Sequence, residues 1–411
     1  MEEKKFDFEA FKQDAIRRLR NKEPLSGKDG VFQPLLKQFL EEALQAEADA
    51  HMNEQERQSG NRRNGVTRKR VKSTKGEFEL ETPRDRSGAF EPQIVGKRQT
   101  LISEEIEEKV IRLYGKGMSV RDICDHIEEM YGFSLSPTTL SAITDRVIPL
   151  VKEWQQRPLE NHYCFVWMDA LHYKVREDGK IVTRALYNLI GVTGEGVKEL
   201  LGIYVSESEG ARFWLQVMED VRRRGVQDIL IICVDNLNGF TKAIGEIFPK
   251  SEIQLCVIHQ IRNCFKYVSY KDSRAFMDDL KTVYHAANEK IAEENLQALE
   301  QKWGRKYSVA VNSWRNNWNH LSTFFRFPEE IRRVMYTTNI IEGFHRQVRK
   351  VTKTKGAFTS DTALLKLVYL ATMNVVEKWS KPIHNWPTIA SQLQILYGER
   401  AKIGILRNRL A

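Results

Sequence analysis

Residues 165–171 read Phe-Val-Trp-Met-Asp-Ala-Leu, a short apolar run that carries a single carboxylate, Asp169. Aromatic and β-branched residues favour a largely buried strand, where a charge is costly unless it is paired. A second apolar run, residues 228–235, ends in Asp235. Either Asp alone is typical of a residue that caps the loop after a strand. On adjacent strands the two carboxylates would meet at one sheet edge and require a counter-charge, usually a divalent metal.

A third carboxylate, Glu342, lies in a segment whose apolar residues recur at helical spacing. Those apolar residues are Ile341, Phe344 and Val348. The same segment carries a basic rim, which suits phosphate and is formed by Arg346, Arg349 and Lys350. Three carboxylates without thiolates indicate Mg²⁺ or Mn²⁺. Two such ions could activate a water or a 3′-hydroxyl and stabilise the leaving oxygen of a phosphodiester.

Several strings of the chain resemble the mutator-type transposases, the DDE enzymes of one large group of bacterial insertion sequences. The strings are Trp167-Met168-Asp169-Ala170, Cys233-Val234-Asp235, Gln254 to Asn263, Tyr336 to Glu342, and Arg349 to Gly356. The similarity runs from about Asn61 nearly to the C-terminus. It implies an α/β, ribonuclease-H-like catalytic core with a mixed sheet, interrupted by an all-helical insertion before the glutamate. It also implies that Asp169, Asp235 and Glu342 form the metal-binding catalytic triad. Gly343-Phe344-His345 departs from the family, which more often has Ser-Leu-Asn, so the role of His345 stays open.

His259 is a further candidate for the catalytic site. Residues 254–258 predict a strand that leads into a helix, with His259 near the active-site end. Cys256 and His259 have the spacing of two zinc ligands, but the sequence has no second Cys pair at finger spacing, so zinc is only weakly indicated. The Cys-x2-His string recurs in the family, and the resemblance implies that His259 is an accessory group at the scissile phosphate. A structural histidine is the alternative.

The composition agrees with a protein that binds DNA. The chain has 411 residues, which predicts two or three domains, and a net charge of +9, which suits a polyanionic partner. Its five cysteines lie mostly in apolar runs and indicate a reduced, cytoplasmic protein without disulfides. As a protein predicted to bind DNA, it is expected to be associated with the nucleoid. No signal peptide or membrane-spanning run is recognisable, so we expect no membrane partner.

The first hundred residues divide into two predicted regions. Residues 1–60 form a helical region whose amphipathic face is too short for a core of its own and is expected to pack on another domain or subunit. This face consists of Phe32, Leu35, Leu36, Phe39, Leu40 and Leu44. Residues 61–100 form a basic segment with a strand near residues 77–81, and a DNA contact is favoured over a solvated face. Its candidate contacts are Arg62, Arg63, Arg68, Lys69 and Arg70.

Residues 101–155 predict a helix-turn-helix domain. Ser103 can cap the first helix, Ser119 and Asp122 form a capping box for the second, and Ser136-Pro137 opens the third. The third helix would be the recognition helix, although a plain three-helix packing unit has the same pattern. Its outward candidates are Thr138, Thr139, Ser141 and Arg146.

The remaining chain is predicted to contain the catalytic part. We assign residues 156–265 to the first part of the core, 266–330 to the helical insertion, 331–380 to the final helices and 381–411 to a tail. Lys353 and Lys355 extend the basic rim as phosphate contacts. Aromatic residues of the insertion are expected to pack in its core, with stacking of one of them on an unpaired base as the alternative. They are Phe276, Tyr284, Trp303, Tyr307, Trp314, Trp318, Phe324 and Phe325.

These features together predict a DNA transposase. It would bind the terminal inverted repeats of an insertion sequence and catalyse Mg²⁺-dependent strand cleavage and strand transfer on double-stranded transposon ends and target DNA. Acting on two ends implies a homodimer or a larger assembly. A related integrase or nuclease would share the triad. A DNA-binding regulator derived from a transposase is a further alternative, which the presence of all three carboxylates disfavours.

Overall fold

The computed structural model of the chain falls into two units, residues 1–146 and residues 147–411. It describes residues 7–25, 30–52, 60–206, 210–237, 239–336 and 339–403. Within these residues, no helix combines the length and the apolar character that crossing a bilayer would require.

The first unit is built around a β-hairpin with a helix packed on it. Its elements are α1 (Phe8–Arg20), α2 (Gln33–His51), β1 (Arg63–Ser73), β2 (Gly76–Asp85), α3 (Glu104–Gly115), α4 (Val120–Tyr131) and α5 (Pro137–Asp145). Strands β1 and β2 pair antiparallel, and α2 lies against β2. Leu44 of α2 is buried in one cluster with Val71, Leu80 and Val95. Leu36 and Leu40 pack against the same cluster, whereas Phe32 and Phe39 are exposed. Part of the predicted amphipathic face therefore packs on the hairpin, so the two predicted N-terminal regions share one core.

The three helices expected between residues 101 and 148 begin at the predicted caps. Ser103 accepts a hydrogen bond from a backbone N–H in the first turn of α3. Ser119 and Asp122 accept from each other's backbone N–H groups, at 3.1 and 3.2 Å, and so form the capping box of α4. Ser136 caps α5, whose first residue is Pro137. The predicted helix starts are thus confirmed.

The second unit contains a five-stranded mixed sheet surrounded by helices. Its strands are β3 (His162–Glu177), β4 (Lys180–Val192), β5 (Lys198–Ser206), β6 (Asp228–Val234) and β7 (Glu252–Leu255). They are ordered β5-β4-β3-β6-β7. The first three form an antiparallel meander, whereas β6 pairs parallel to both β3 and β7. Residues 228–234 of β6 are almost entirely buried, as expected for an interior parallel strand.

In the second unit, one helix precedes the antiparallel meander, single helices alternate with strands from β5 to β7, and only helices and short 3₁₀ turns follow to the end of the described chain. The helices are α6 (Val147–Gln156), α7 (Ala211–Arg223), α8 (Phe240–Ile247), α9 (Val257–Phe265), α10 (Tyr270–Tyr284), α11 (Glu289–Trp303), α12 (Ser308–Leu321), α13 (Glu329–Tyr336), α14 (Asn339–Thr352), α15 (Asp361–Val376) and α16 (Trp386–Tyr397). Short 3₁₀ turns cover Thr323–Arg326 and Gly398–Ala401. Helix α6 lies within the range predicted for the helix-turn-helix domain, residues 101–155, but it packs on β5 and α15, with the rings of Trp154 and Tyr369 5.6 Å apart.

The aromatic residues that were predicted to pack in the core of the insertion are core residues. All eight aromatics named for the predicted insertion are buried, including Trp314 and Trp318. Several of them contact one another edge to face, as Phe276 and Trp303 do. The core interpretation is therefore confirmed. Base stacking is wrong for these eight side chains, because their rings lie inside the protein.

The C-terminal segment differs most from its prediction. Residues 381–411, expected to be a tail, include α16, whose Trp386, Ile389 and Leu393 are buried one helical turn apart. The Trp386 ring lies where a β-carbon on Gly196 would be, and Gly196 adopts a φ of +82° in the left-handed region. Arg400 then pairs with Asp228 at the start of β6, at 2.7 and 2.9 Å. The apolar periodicity that the prediction overlooked thus attaches the segment to the sheet.

We expect Trp386→Ala to destabilise the second unit by about 3–5 kcal/mol, because it empties a buried aromatic site. Guanidinium unfolding of the full chain measures the effect. Ile395→Ala is the matched control on the same helix, since Ile395 is 83% exposed, and should change the free energy of unfolding by less than about 0.5 kcal/mol. Equal effects of the two substitutions would show that α16 is not held through Trp386.

Candidate active site

The first two carboxylates of the predicted triad follow the last paired residues of two neighbouring parallel strands. Strands β3 and β6 pair up to Met168 and Val234. Asp169 is the next residue within β3, and Asp235 is the first residue after β6. Burial raises the pKa of Asp169, and the neighbouring Asp235 carboxylate raises it further. Two like charges held together in this way favour a bound cation, as the sequence predicts.

Glu342 reaches the same region from the first turn of α14. Ile341, Phe344 and Val348 of this helix are buried, as their spacing predicts, so the other face of α14 is turned to an open cleft of about 470 Å³. The cleft is lined by Asp169, Ala170, His259, Arg262, Glu342, His345, Arg346, Arg349, Lys350 and Lys353. Lys355, the remaining predicted phosphate contact, is half-buried and is not among the lining residues.

Each of the three carboxylates has a basic partner of its own. His345 Nδ1 lies 3.5 Å from Asp169 Oδ2. His259 Nδ1 contacts Asp235 Oδ1 as an ion pair, although without the alignment of a hydrogen bond. Arg262 Nη2 donates a hydrogen bond of 3.2 Å to Glu342 Oε1. Sequence reasoning missed Arg262, yet its place one helical turn after His259 was a usable signal.

His259 and His345 differ in charge because their surroundings differ. Burial acts to lower the pKa of His259, but contacts with Asp235 and Cys256 outweigh burial and raise the pKa to about 11. Burial lowers the pKa of His345 to about 4, against the opposing attraction of Asp169. At neutral pH, His259 is therefore a cation that compensates Asp235, whereas His345 is a neutral ring.

A buried amide fixes the orientation of His345. Asn188 lies opposite Asp169 in the β3–β4 register and is fully buried. Its Nδ2 lies 3.2 Å from His345 Nε2. Nδ1 faces a carboxylate, which only accepts hydrogen bonds, so Nδ1 carries the ring proton and Nε2 accepts from Asn188. Asn188, His345 and Asp169 thus form a chain in which an amide orients a ring and the ring faces the carboxylate. An amide within the apolar run of residues 185–192 was the signal for Asn188.

Comparison with known proteins bears on what this arrangement does. The profile of the family described as "Transposase, Mutator family" matches residues 8–382. The chain is 40% identical to the transposase for insertion sequence element ISRM3 of Rhizobium meliloti (strain 1021) over 93% of its own length and 96% of the relative's. It is 31% identical to the transposase for insertion sequence element IS905 of Lactococcus lactis subsp. lactis (strain IL1403), over 84% and 88% of the two chains. The chain belongs to the Mutator family of transposases.

The basic residues of the hairpin in this Mutator-family chain are partly engaged within the first unit. Arg68 donates a hydrogen bond of 2.9 Å to Glu81 across the two strands, and Arg63 contacts Asp49 of α2. The Lys69 ammonium donates to the backbone carbonyls of residues 95 and 96. Arg62 and Arg70 are exposed. The predicted basic segment is therefore a basic strand paired with an acidic one, and DNA contact by it stays a prediction.

The four residues predicted to contact DNA from the recognition helix differ in whether neighbouring side chains already bind them. Thr138 and Ser141 are exposed on α5. The hydroxyl of Thr139 lies 2.8 Å from that of Ser136, at the start of the helix. Arg146 contacts Glu107 of α3 as an ion pair. Two of the four candidates are thus engaged by neighbours, and a role in DNA recognition is a prediction for all four.

We expect Asn188→Leu to weaken Mn²⁺ binding about 10–100-fold, because His345 loses the partner that orients it toward Asp169, a carboxylate that is predicted to bind metal. Electron paramagnetic resonance of Mn²⁺ measures the affinity. Thr372→Val is the matched control, since it also removes a fully buried polar group of the second unit, in this case a hydroxyl without a hydrogen-bond partner. Unchanged affinity in a folded Asn188→Leu variant would remove the amide from the metal-binding site.

Proposed function

We propose that this chain is the transposase of an insertion sequence, which binds the terminal inverted repeats and catalyses metal-dependent strand cleavage and strand transfer. The observation that carries the proposal is the position of Asp169 and Asp235, each directly after the last paired residues of the parallel strands β3 and β6. They lie beside a cleft that is also lined by Glu342 and several basic side chains. The paired carboxylates suit a divalent metal, and the basic side chains suit the phosphates of DNA.

The proposed architecture follows the same logic. We assign the five-stranded sheet to a ribonuclease-H-like core, and the order β5-β4-β3-β6-β7, with an antiparallel meander and two parallel strands, supports this assignment. Helices α10 to α12 would form the insertion, since they separate β7 and α9 from the glutamate on α14. Helices α3 to α5 would form the helix-turn-helix that reads the terminal repeats. Recognition of two ends would require at least a dimer.

Asp169, Asp235 and Glu342 would hold the metal, for which Mg²⁺ is the best match. The fit rests on the donor set, which is entirely carboxylate, and on the raised pKa of Asp169, which reflects burial beside a second carboxylate. When bound, Mg²⁺ supplies Lewis-acid stabilisation of the charge that develops on phosphate oxygens. Asn188 and His345 would orient Asp169. His259 lines the cleft beside Asp235 and is in reach of a bound phosphate as an accessory cation.

The basic face of α14 would hold the DNA backbone. Arg346, Arg349, Lys350 and Lys353 line the cleft, and all four side chains are exposed. Cations that contact phosphates position the duplex without reading its sequence. Sequence recognition would then belong to the first unit, and this division separates binding of the repeat from cleavage.

Cleavage of a labelled duplex that carries the element's terminal repeat tests the proposal. We expect wild type to cut at the element's end with Mg²⁺ and not with EDTA. Asp235→Asn and Glu342→Gln should reduce cleavage by more than about 10³-fold, because each removes a metal-binding charge, while binding of the repeat persists.

Asp178→Asn is the matched control for these variants. It removes the same charge from the exposed β3–β4 turn, at a φ of +48°, which Asn tolerates well. Its cleavage should equal that of wild type. Specific binding without cleavage under any divalent ion would support a regulator instead, and equal binding to random duplex would support a nuclease.

We further expect that the double substitution of Arg346 and Lys350 by Ala makes DNA binding less sensitive to salt. The plot of the logarithm of the binding constant against the logarithm of the salt concentration should become less steep by about 2, because two phosphate contacts are lost. Fluorescence anisotropy with the repeat duplex and with a random duplex measures the slopes. The affinity of the double variant should fall by the same factor for both duplexes. Lys180→Ala removes an exposed charge from the β3–β4 turn and should leave the slope unchanged. An unchanged slope in the double variant would show that Arg346 and Lys350 do not contact the phosphates of DNA.

A further inference from the structure

A second group of potential metal ligands shares Asp235 with the pair of carboxylates, Asp169 and Asp235. One ligand atom each from Asp235, Cys256 and His259 lies within 4.8 Å of the other two. Among the described residues, this is the group of three potential metal ligands whose ligand atoms lie this close together. Asp169, Asp235 and Glu342 do not form such a group. In the sequence, Cys256 and His259 have the spacing of two zinc ligands, but no second Cys pair at finger spacing accompanies them. The third ligand, Asp235, comes from a different strand and could be recognised only in the fold.

The backbone holds the three ligands together. The N–H of Cys256 donates a hydrogen bond of 2.8 Å to the carbonyl of Val234, which directly precedes Asp235. Cys256 is also the N-cap of α9, where its sulfur faces the N–H of His259 at 3.5 Å. The end of β6, the end of β7 and the first turn of α9 therefore fix all three side chains. This arrangement does not depend on DNA or on a second subunit.

The chemistry of the three donors differs from that of the carboxylate triad. Mg²⁺ prefers oxygen ligands, whereas one sulfur, one imidazole nitrogen and one carboxylate oxygen suit Zn²⁺. Three protein ligands with a fourth position left for water are a known zinc arrangement. Cys256 is buried, and its thiol and the His259 ring would each release a proton to solvent when the metal binds. No oxidant or reductant is required.

We propose that Asp235, Cys256 and His259 form a Zn²⁺ site that inhibits the enzyme by withdrawing Asp235 from the catalytic carboxylates. The inhibitory part rests on the proposed function, because it requires Asp235 to serve Mg²⁺-dependent cleavage. The site itself does not rest on it. Zn²⁺ and Mg²⁺ compete for one carboxylate, and the thiolate gives Zn²⁺ the advantage at low concentration.

Metal binding to the full-length, metal-free protein is the first test. Titration with Co²⁺ should produce a thiolate-to-cobalt charge-transfer band in the near ultraviolet, and Zn²⁺ should abolish the band. Cys256→Ser should lose the band and bind Zn²⁺ at least about 10-fold more weakly, since it lacks the sulfur. Ser is a good N-cap and preserves the start of α9. Cys264→Ser is the matched control, because Cys264 is a buried thiol on the same helix that donates to the carbonyl of Ile261, and this variant should keep the band.

X-ray absorption at the zinc edge of wild type provides a test that needs no variant. One sulfur ligand is expected, and a shell of only oxygen and nitrogen would overturn the site. A missing cobalt–thiolate band in wild type would also overturn it, whether or not the protein cleaves DNA.

Cleavage with Mg²⁺ then tests inhibition. Micromolar Zn²⁺ should suppress cleavage by wild type and Cys264→Ser at least 10-fold more strongly than by Cys256→Ser, each relative to its own rate without zinc. Equal suppression in all three would overturn the inhibitory role. A cobalt–thiolate band in a protein that never cleaves the terminal repeat would support the zinc site and contradict the transposase mechanism, so the two proposals can fail separately.

Discussion

The parallel pairing of β3 with β6 is the constraint on which the site depends. This pairing places Asp169 next to Asp235, and the buried surroundings raise the pKa of Asp169. Strand pairing is held by many backbone hydrogen bonds and buried Ile and Val side chains, so the two carboxylates cannot separate to relieve their repulsion. Positive charge must come to them instead, from a metal or from the protein.

Helix α14 carries several of the charged side chains that lie near these two carboxylates. Ile341, Phe344 and Val348 are buried, and this apolar face determines which residues of the helix are turned to the cleft. Glu342 and His345 then lie on the side of Asp169 and Asp235, while Arg346, Arg349 and Lys350 line the same cleft, where the proposed function would place the phosphate backbone of DNA. One amphipathic helix thus positions a third carboxylate, an orienting histidine and a row of cations.

The sequence predicted those features whose causes are local. The capping box of Ser119 and Asp122, the strand that ends before Asp235, and the buried face of α14 each depend on residues a few positions apart. The strand around Asp169 was also predicted, but β3 continues beyond this residue to Glu177. The chain from Asn188 to His345 and the pair of Arg262 with Glu342 join distant segments, and residue types alone do not specify such contacts. The helix at Trp386 was a different failure, since its periodicity was present and overlooked. The basic residues from Arg63 to Arg70 lie on a strand whose partner carries Glu77, Glu79 and Glu81, and the local charge pattern does not show that the two strands pair.

The three carboxylates differ in how firmly the protein holds them. The side chain of Asp169 is 13% exposed and lies against a buried histidine, itself oriented by a buried amide. Glu342 is 35% exposed, and its partner Arg262 is 60% exposed. An ion pair so accessible to water contributes only about 0–1 kcal/mol. In the proposed mechanism, metal binding would therefore displace Arg262 at little cost and release it toward a phosphate, whereas Asp169 is held in a fixed orientation. The buried carboxylate would then be the fixed ligand of the site and the exposed glutamate its adjustable one, because only the exposed ion pair can be exchanged cheaply.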